Sequence, residues 1–160
     1  MPTLSEIDVQ DLAVHIEEES KALTVFDMLL EDEIRVLGQV QAHEALAQVI
    51  AAKQAQAVRL NALFETRVAL VRQWLPTQLD GNPQALLVDQ PDLLGRWHRL
   101  RARIRAAQEK NQANGRLIDG YLRQNQAALE ALHAARGTRR AYTSRGKTKT
   151  VHPSRDLAVG

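Results

Sequence analysis

The placement of proline constrains the fold of this 160-residue chain more than any other feature. The five prolines lie at positions 2, 76, 83, 91 and 153, so residues 3–75 and 92–152 contain none. Proline disrupts a helix interior, because it lacks the backbone donor and its ring clashes with the preceding turn. Both stretches can therefore be helical, and the first contains a single glycine, Gly38. The pattern predicts long helices joined by short connections.

Helix-breaking proline and glycine residues divide the chain into three predicted helices. Leu37-Gly38 indicates a helix end, and the turn-forming segment 76–83 ends the second helix. Pro91 suits the first turn of a third helix, since proline there leaves no donor unpaired. The predicted elements are helices over about 6–38, 43–75 and 91–135, and a short apolar plug at Leu86, Leu87 and Val88.

Composition favours the same all-α class. Aromatic residues make up 4% of the chain and apolar residues 44%, whereas a sheet core would need more aromatic and β-branched side chains. The absence of cysteine excludes disulfides, thiol catalysis and cysteine-ligated zinc. We expect three long antiparallel helices, a helical hairpin plus a longer third helix, with coiled-coil-like packing. A single helical domain over 1–136 would precede a flexible, disordered basic tail over 137–160.

Charged residues in the heptad seams of the first two helices predict how these helices pair. The first seam runs from Leu12 to Leu37 and contains Glu19 and Glu33. The second runs from Ile50 to Trp74 and contains Lys53, Ala57, Phe64 and Arg67. Facing residues in an antiparallel pair have position numbers with a constant sum, and both Glu33–Lys53 and Glu19–Arg67 give 86. We predict that these two pairs form and set the register of the hairpin. The alternative is that all four side chains are solvated.

Charge is divided unevenly along the chain, although the net charge is only +2. Residues 1–36 hold ten acids and two bases, whereas residues 96–160 hold fifteen bases and four acids. One alternative function is therefore the binding of nucleic acid or an anionic surface by the basic C-terminal region. The arginines between 96 and 105 point around most of the third helix, so pairing with the acidic first helix is the favoured interpretation. A coiled-coil subunit that self-associates through the third helix is a second alternative.

Catalytic and cofactor-binding patterns are absent from the sequence. The five histidines lack metal-ligand spacing, and the single Glu-x-x-His, Glu130 to His133, has no second copy to build a di-iron site. No Gly-rich phosphate loop or nucleophile elbow occurs. We expect no enzymatic activity, no cofactor and no metal. Because the N-terminus is acidic and no segment is apolar enough to span a membrane, we expect a cytoplasmic protein without membrane insertion.

The most unusual local segment is Asn111-Gln-Ala-Asn114-Gly115, since Asn-Gly favours a hairpin turn while the helical seam runs through it. Either the segment has a function, or it is a kinked or frayed stretch whose asparagines set helix register. Together with the Leu-rich helix that follows and with Tyr142 and Gly146 in the tail, it resembles the FlgN family of flagellar export chaperones. The sequences at 29–37 and 45–67 also fit this family.

The resemblance implies an all-helical cytoplasmic chaperone for the hook–filament junction proteins FlgK and FlgL. Such a chaperone binds their C-terminal helical region, prevents premature association and delivers them to the export gate, the cytoplasmic domain of FlhA. Nucleic acid is not an expected partner. In the family, the C-terminal half of the third helix binds substrate and a tail tyrosine docks at the gate. The resemblance thus assigns substrate binding to Leu117, Ile118, Tyr121, Leu122, Leu129 and Leu132, the signature motif to Asn111, Asn114 and Gly115, and gate docking to Tyr142.

Overall fold

Helix α1 spans Glu6–Leu37 and begins with a capping box. Ser5 Oγ accepts a hydrogen bond from the Asp8 backbone N–H at 3.3 Å, and Asp8 Oδ2 accepts one from the Ser5 N–H at 3.1 Å. Gly38 follows the last turn with right-handed backbone angles, and the left-handed residue of the connection is Gln41, with a φ of 64°. The predicted helix end before Gly38 is confirmed, but without the left-handed glycine that commonly ends a helix.

Two further long helices follow α1. Helix α2 spans His43–Trp74, a short 3₁₀ turn spans Gln84–Leu86, and helix α3 spans Pro91–Arg145. The predicted ends of α1 and α2 are each one residue too late. Helix α3 runs ten residues past its predicted end at 135. The apolar periodicity stops there, but arginine and alanine still favour a helix and no proline interrupts the chain before 153.

The computed structural model describes residues 5–145, with the side chains of 6, 7 and 138–145 excepted. Residues 146–160 of the predicted tail lie outside this description, and so does the side chain of Tyr142. Between residues 5 and 145 the regular structure is entirely helical, which confirms the predicted all-α class with three long helices. The chain divides into two units, unit 1 up to Ile118 and unit 2 from Asp119 onward. Each unit is described separately.

Polar contacts define how α2 and α3 run in unit 1. Lys53 Nζ donates to Asn111 Oδ1 at 2.9 Å, and the guanidinium of Arg67 lies 4.6 Å from the centre of the Trp97 ring. The position numbers of both pairs sum to 164, so α2 and this part of α3 are antiparallel. Helix α1 is antiparallel to α2 as well, and α1 and α3 are therefore parallel.

The core of unit 1 lies mainly between α1 and α3. All seven residues of the predicted α1 seam from Leu12 to Glu33 are buried. The buried apolar residues that α3 adds to this core are Leu93, Trp97, Leu100 and Ala107. The predicted α2 seam is covered less completely, since Arg67 is buried whereas Ala57 and Phe64 are exposed. This part of the α2 seam therefore borders an open cleft rather than a closed core.

The connection between α2 and α3 packs on unit 1 through its own apolar residues. Leu87 and Pro83 are both fully buried. Gly81 has a φ of 61°, and a Cβ atom at this position would lie 2.7 Å from Val68 Cγ2. The predicted plug is confirmed for Leu87 and is wrong for Val88, which is 70% exposed because residues 88 and 89 form a surface turn.

Candidate functional site: buried polar networks and an exposed leucine surface

Two ion pairs join α1 to α2 as the sequence predicts. Lys53 Nζ lies 2.6 Å from Glu33 Oε1, and Arg67 Nε donates to Glu19 Oε1 at 2.6 Å. The side chains of Glu19, Glu33 and Arg67 are buried, and that of Lys53 is 16% exposed. The alternative of four solvated side chains is therefore wrong. That these pairs set the register of the hairpin stays a hypothesis.

The Asn-x-x-Asn-Gly segment completes a polar network around Glu33. Asn114 Nδ2 donates to Glu33 Oε2 at 2.9 Å and to the backbone carbonyl oxygen of Leu30 at 2.7 Å. Asn111 accepts from Lys53, so each end of the ion pair contacts one asparagine of α3. We call Glu33, Lys53, Asn111 and Asn114 the Glu33 network. Its geometry favours the interpretation that the two asparagines fix how α3 packs on the hairpin.

Gly115, the third residue of the motif, has no comparable contact. A Cβ atom at Gly115 would meet no other side chain or distant backbone within 4 Å. Helix α3 includes the whole motif, so the tertiary contacts of the asparagines override the local preference of Asn-Gly for a hairpin turn. Packing in unit 1 therefore explains the asparagines of the motif but not its glycine.

Arg67 is the centre of a second buried network, which sequence reasoning found only in part. Besides Glu19, its guanidinium donates to the carbonyl oxygen of Gly81 and lies over the Trp97 ring. Trp97 Nε1 in turn donates to Asn82 Oδ1 at 3.0 Å. We call these five residues the Arg67 network. Heptad spacing predicts the Glu19 pair, but a cation–π contact and a bond to a loop carbonyl leave no periodic signal.

The arginines at the start of α3 pair with α1 only in part. Arg103 Nη2 lies 3.3 Å from Asp27 Oδ2, and one heptad later Lys110 Nζ lies 3.4 Å from Glu31 Oε1. Within the described residues, no carboxylate lies within 4.0 Å of the basic groups of Arg96, Arg99, Arg101 and Arg105. The predicted pairing with acidic α1 is thus confirmed for Arg103 and is not observed for the other four arginines.

Two of the predicted substrate-binding residues lie in unit 1. Leu117 is 56% exposed, whereas Ile118 is 8% exposed and counts among the buried apolar residues. An incoming partner could therefore contact Leu117 directly, but Ile118 offers little free surface.

The other four predicted substrate-binding residues lie in unit 2. Leu122, Leu129 and Leu132 are each about half exposed, and Tyr121 is half-buried. Leu122 and Leu129 are seven residues apart, and Leu132 follows three residues later, so all three lie on one side of the helix. We call Leu122, Leu129 and Leu132 the leucine surface. Such spacing is what an amphipathic partner helix needs in order to pack on another helix.

Comparison with protein-family models gives a match to the FlgN protein family over residues 1–150. The chain belongs to the FlgN family. The resemblance carried by the Asn-x-x-Asn-Gly segment is thereby confirmed. The FlgN family is a family of flagellar export chaperones rather than of enzymes. Comparison with curated proteins and with solved structures finds no significant match for this FlgN-family chain.

Metal ligands do not cluster in the part of this FlgN-family chain that the structure describes. No group of three or more histidine, aspartate and glutamate side chains there could hold a metal ion. Among the same residues, no helix is both long and apolar enough to cross a lipid bilayer.

Proposed function

We propose that this FlgN-family chain is a cytoplasmic chaperone for flagellar hook–filament junction proteins of the FlgK and FlgL type. It binds their C-terminal helical region, prevents premature association and delivers them to the export-gate protein FlhA. Family membership supports the general role of a flagellar export chaperone. The observation that carries the finer proposal is the leucine surface, three half-exposed leucines on one side of a helix.

The contacts with the junction protein are proposed along α3. The leucine surface supplies the main apolar contacts, and Leu117 and Tyr121 add to them. Ile118 is buried in unit 1, so its part is to support neighbouring residues from within. Apolar side chains of the partner leave water when they pack on α3. The driving force is therefore burial of apolar surface, which contributes about 25 cal/mol per Å² before the costs of association are subtracted. Tyr142 is the proposed contact with the export gate.

The experiment is a calorimetric titration of the full chain with the C-terminal helical segment of a FlgK-type or FlgL-type junction protein. We expect Leu129→Asp to weaken binding at least about 30-fold, because a buried hot-spot side chain commonly supplies 2 kcal/mol or more. The matched control is Val58→Asp, which places the same charge on an exposed apolar position of α2, 72% exposed, and should bind like the parent. Undiminished binding by a folded Leu129→Asp variant would contradict the proposed surface.

A second candidate function, binding of nucleic acid or an anionic surface, is favoured by one observation. Four arginines near the start of α3 lack carboxylate partners among the described residues. The same titration with a DNA duplex at two salt concentrations separates the functions, since phosphate binding falls steeply with salt and apolar packing does not. Tight salt-sensitive DNA binding without junction-protein binding would favour the second function.

A further inference from the structure

Unit 1 contains a largely apolar cleft between α2 and α3 that includes no residue of the leucine surface. Asn111 of the Glu33 network and the paired Glu19 and Arg67 also belong to its lining. Its volume is about 280 Å³, and its apolar lining includes Phe26, Leu60, Phe64 and Ile104. Ala57 also lines the cleft, and it and Phe64 occupy seam positions of α2 that a closed three-helix core would bury. The helices of unit 1 thus leave part of their own seam uncovered.

The edges of this cleft differ in charge. Gln108 of α3 lines the cleft, and Arg101 and Arg105 lie seven and three residues before it, on the same side of the helix. Both arginines are exposed, and within residues 5–145 no carboxylate lies within 4.0 Å of either. The α2 edge carries the neutral Asn61 and, one turn later, the exposed Glu65. The α3 edge is therefore basic, and the α2 edge is neutral to acidic.

We propose that this cleft docks one amphipathic helix of a partner protein whose carboxylates lie along the edge facing α3. The exposed seam of α2 from Ala57 to Phe64 is two helical turns long, about 10 Å, which matches one heptad of an incoming helix. Apolar side chains at spacings of three, four and seven fill the cleft, and aspartate or glutamate on one flank meets Arg101 and Arg105. The docked helix completes the fourth side of the bundle. This surface goes beyond the proposed junction-protein contacts, since it uses no residue of unit 2.

The probes are two synthetic three-heptad peptides with the same leucine and alanine stripe. One carries glutamate along one flank and the other carries lysine at the same positions. Each is titrated calorimetrically into the full chain. We expect the glutamate peptide to bind at least about tenfold more tightly than the lysine peptide, because its flank meets the arginines. The double variant Arg101→Glu/Arg105→Glu should reverse this preference.

Two tryptophan substitutions on α2 test whether the peptide binds in the cleft. Ala57→Trp fills the cleft from an exposed position and should weaken binding of the glutamate peptide at least about tenfold. Ala55→Trp places the same bulk on an exposed position nearly opposite on the helix, and should bind like the parent. Leu129→Asp should also bind the peptide normally, which separates this proposal from the function of the leucine surface.

Each other outcome overturns the proposal. Absence of binding by both peptides means that the cleft is not a helix-docking site. Equal binding of both peptides means that the arginine edge does not select the partner. Equal loss in Ala55→Trp and Ala57→Trp, with the variants still helical by circular dichroism, means that the peptide binds elsewhere.

Discussion

Replacement of Arg67 by methionine is expected to destabilise unit 1 by about 3–5 kcal/mol, because it leaves the Glu19 carboxylate buried without its partner. The side chains of the pair are 3% and 4% exposed, so water cannot replace the lost interaction. Methionine retains most of the apolar stem of arginine and can still contact the Trp97 ring. The loss should therefore come from charge and hydrogen bonding rather than from an empty cavity.

The double variant Glu19→Met/Arg67→Met isolates that electrostatic part. Removal of both charges also removes both desolvation penalties, so an apolar replacement of a buried pair is often neutral or stabilising. One penalty persists, since the Gly81 carbonyl oxygen loses its arginine donor, at a cost of about 1–3 kcal/mol. Because this penalty is common to both variants, their difference reports the unpaired Glu19 carboxylate alone. We expect the double variant to be at least about 2 kcal/mol more stable than Arg67→Met.

The assay is urea unfolding of the full chain, followed by far-ultraviolet circular dichroism and by tryptophan fluorescence. Free energies are comparable only where the m-value is unchanged, so each variant is fitted with its own m-value first. The control is Glu17→Gln, which breaks an exposed pair with Lys21 and should shift the free energy by no more than about 0.5 kcal/mol. A loss below 1 kcal/mol in Arg67→Met, or additive effects in the double variant, would refute the buried pair as a coupled unit.

Two matched pairs of substitutions test other parts of unit 1. Gly81→Ala should lower the free energy of unfolding by about 1–3 kcal/mol, since the residue has a positive φ and its Cβ would overlap Val68. Gly115→Ala should raise the free energy of unfolding by about 0.5–1 kcal/mol, because alanine favours a helix and the position is open. Thermal unfolding of the two variants shows the sign of each effect, and equal signs would contradict the reasoning. Asn114→Ala should lower the free energy of unfolding by about 2 kcal/mol, because buried Glu33 loses a hydrogen-bond donor. Asn111→Ala should lower it by less than about 1 kcal/mol, because Lys53 still pairs with Glu33. Urea unfolding of the two variants tests this order, and a larger loss in Asn111→Ala would contradict it.

The pairing of α1 with α2 could be predicted from the sequence, because the two charge pairs repeat over two heptads. The Glu33–Lys53 pair alone would be compatible with many arrangements of the two helices. The Glu19–Arg67 pair has the same sum of position numbers, and the two pairs together fit one register. The bounds of α1 and α2 and the start of α3 were accessible to within one residue, since proline and glycine act on helix ends locally. The end of α3 was placed ten residues too early, because no proline or apolar pattern indicates where this helix stops. Features that repeat along the chain, or that act within one turn, are therefore predictable from it.

Features that depend on a single non-repeating contact could not be predicted. The carbonyl of Gly81 and the ring of Trp97 contact Arg67 only because the connection between α2 and α3 folds back. No periodic pattern in the sequence predicts these contacts. The exposure of Phe64 was missed for the same reason, since heptad spacing shows which side of α2 faces its neighbours but not how closely α3 approaches. The cleft depends on the distance between α2 and α3, and heptad spacing does not indicate that distance.

We expect the two buried pairs to discriminate between registers more than they add stability. An apolar seam repeats every heptad, so a hairpin slipped by one heptad would still bring many apolar residues together. In one direction the slip places Lys53 opposite Phe26 and Arg67 opposite Leu12, and in the other it places Arg67 opposite Phe26. Each slip leaves four charged side chains without partners. Each of them that stays buried would destabilise the slipped hairpin by about 3 kcal/mol or more. That penalty rivals the whole stability of a typical domain, about 5–15 kcal/mol, so we expect only the observed register to be populated.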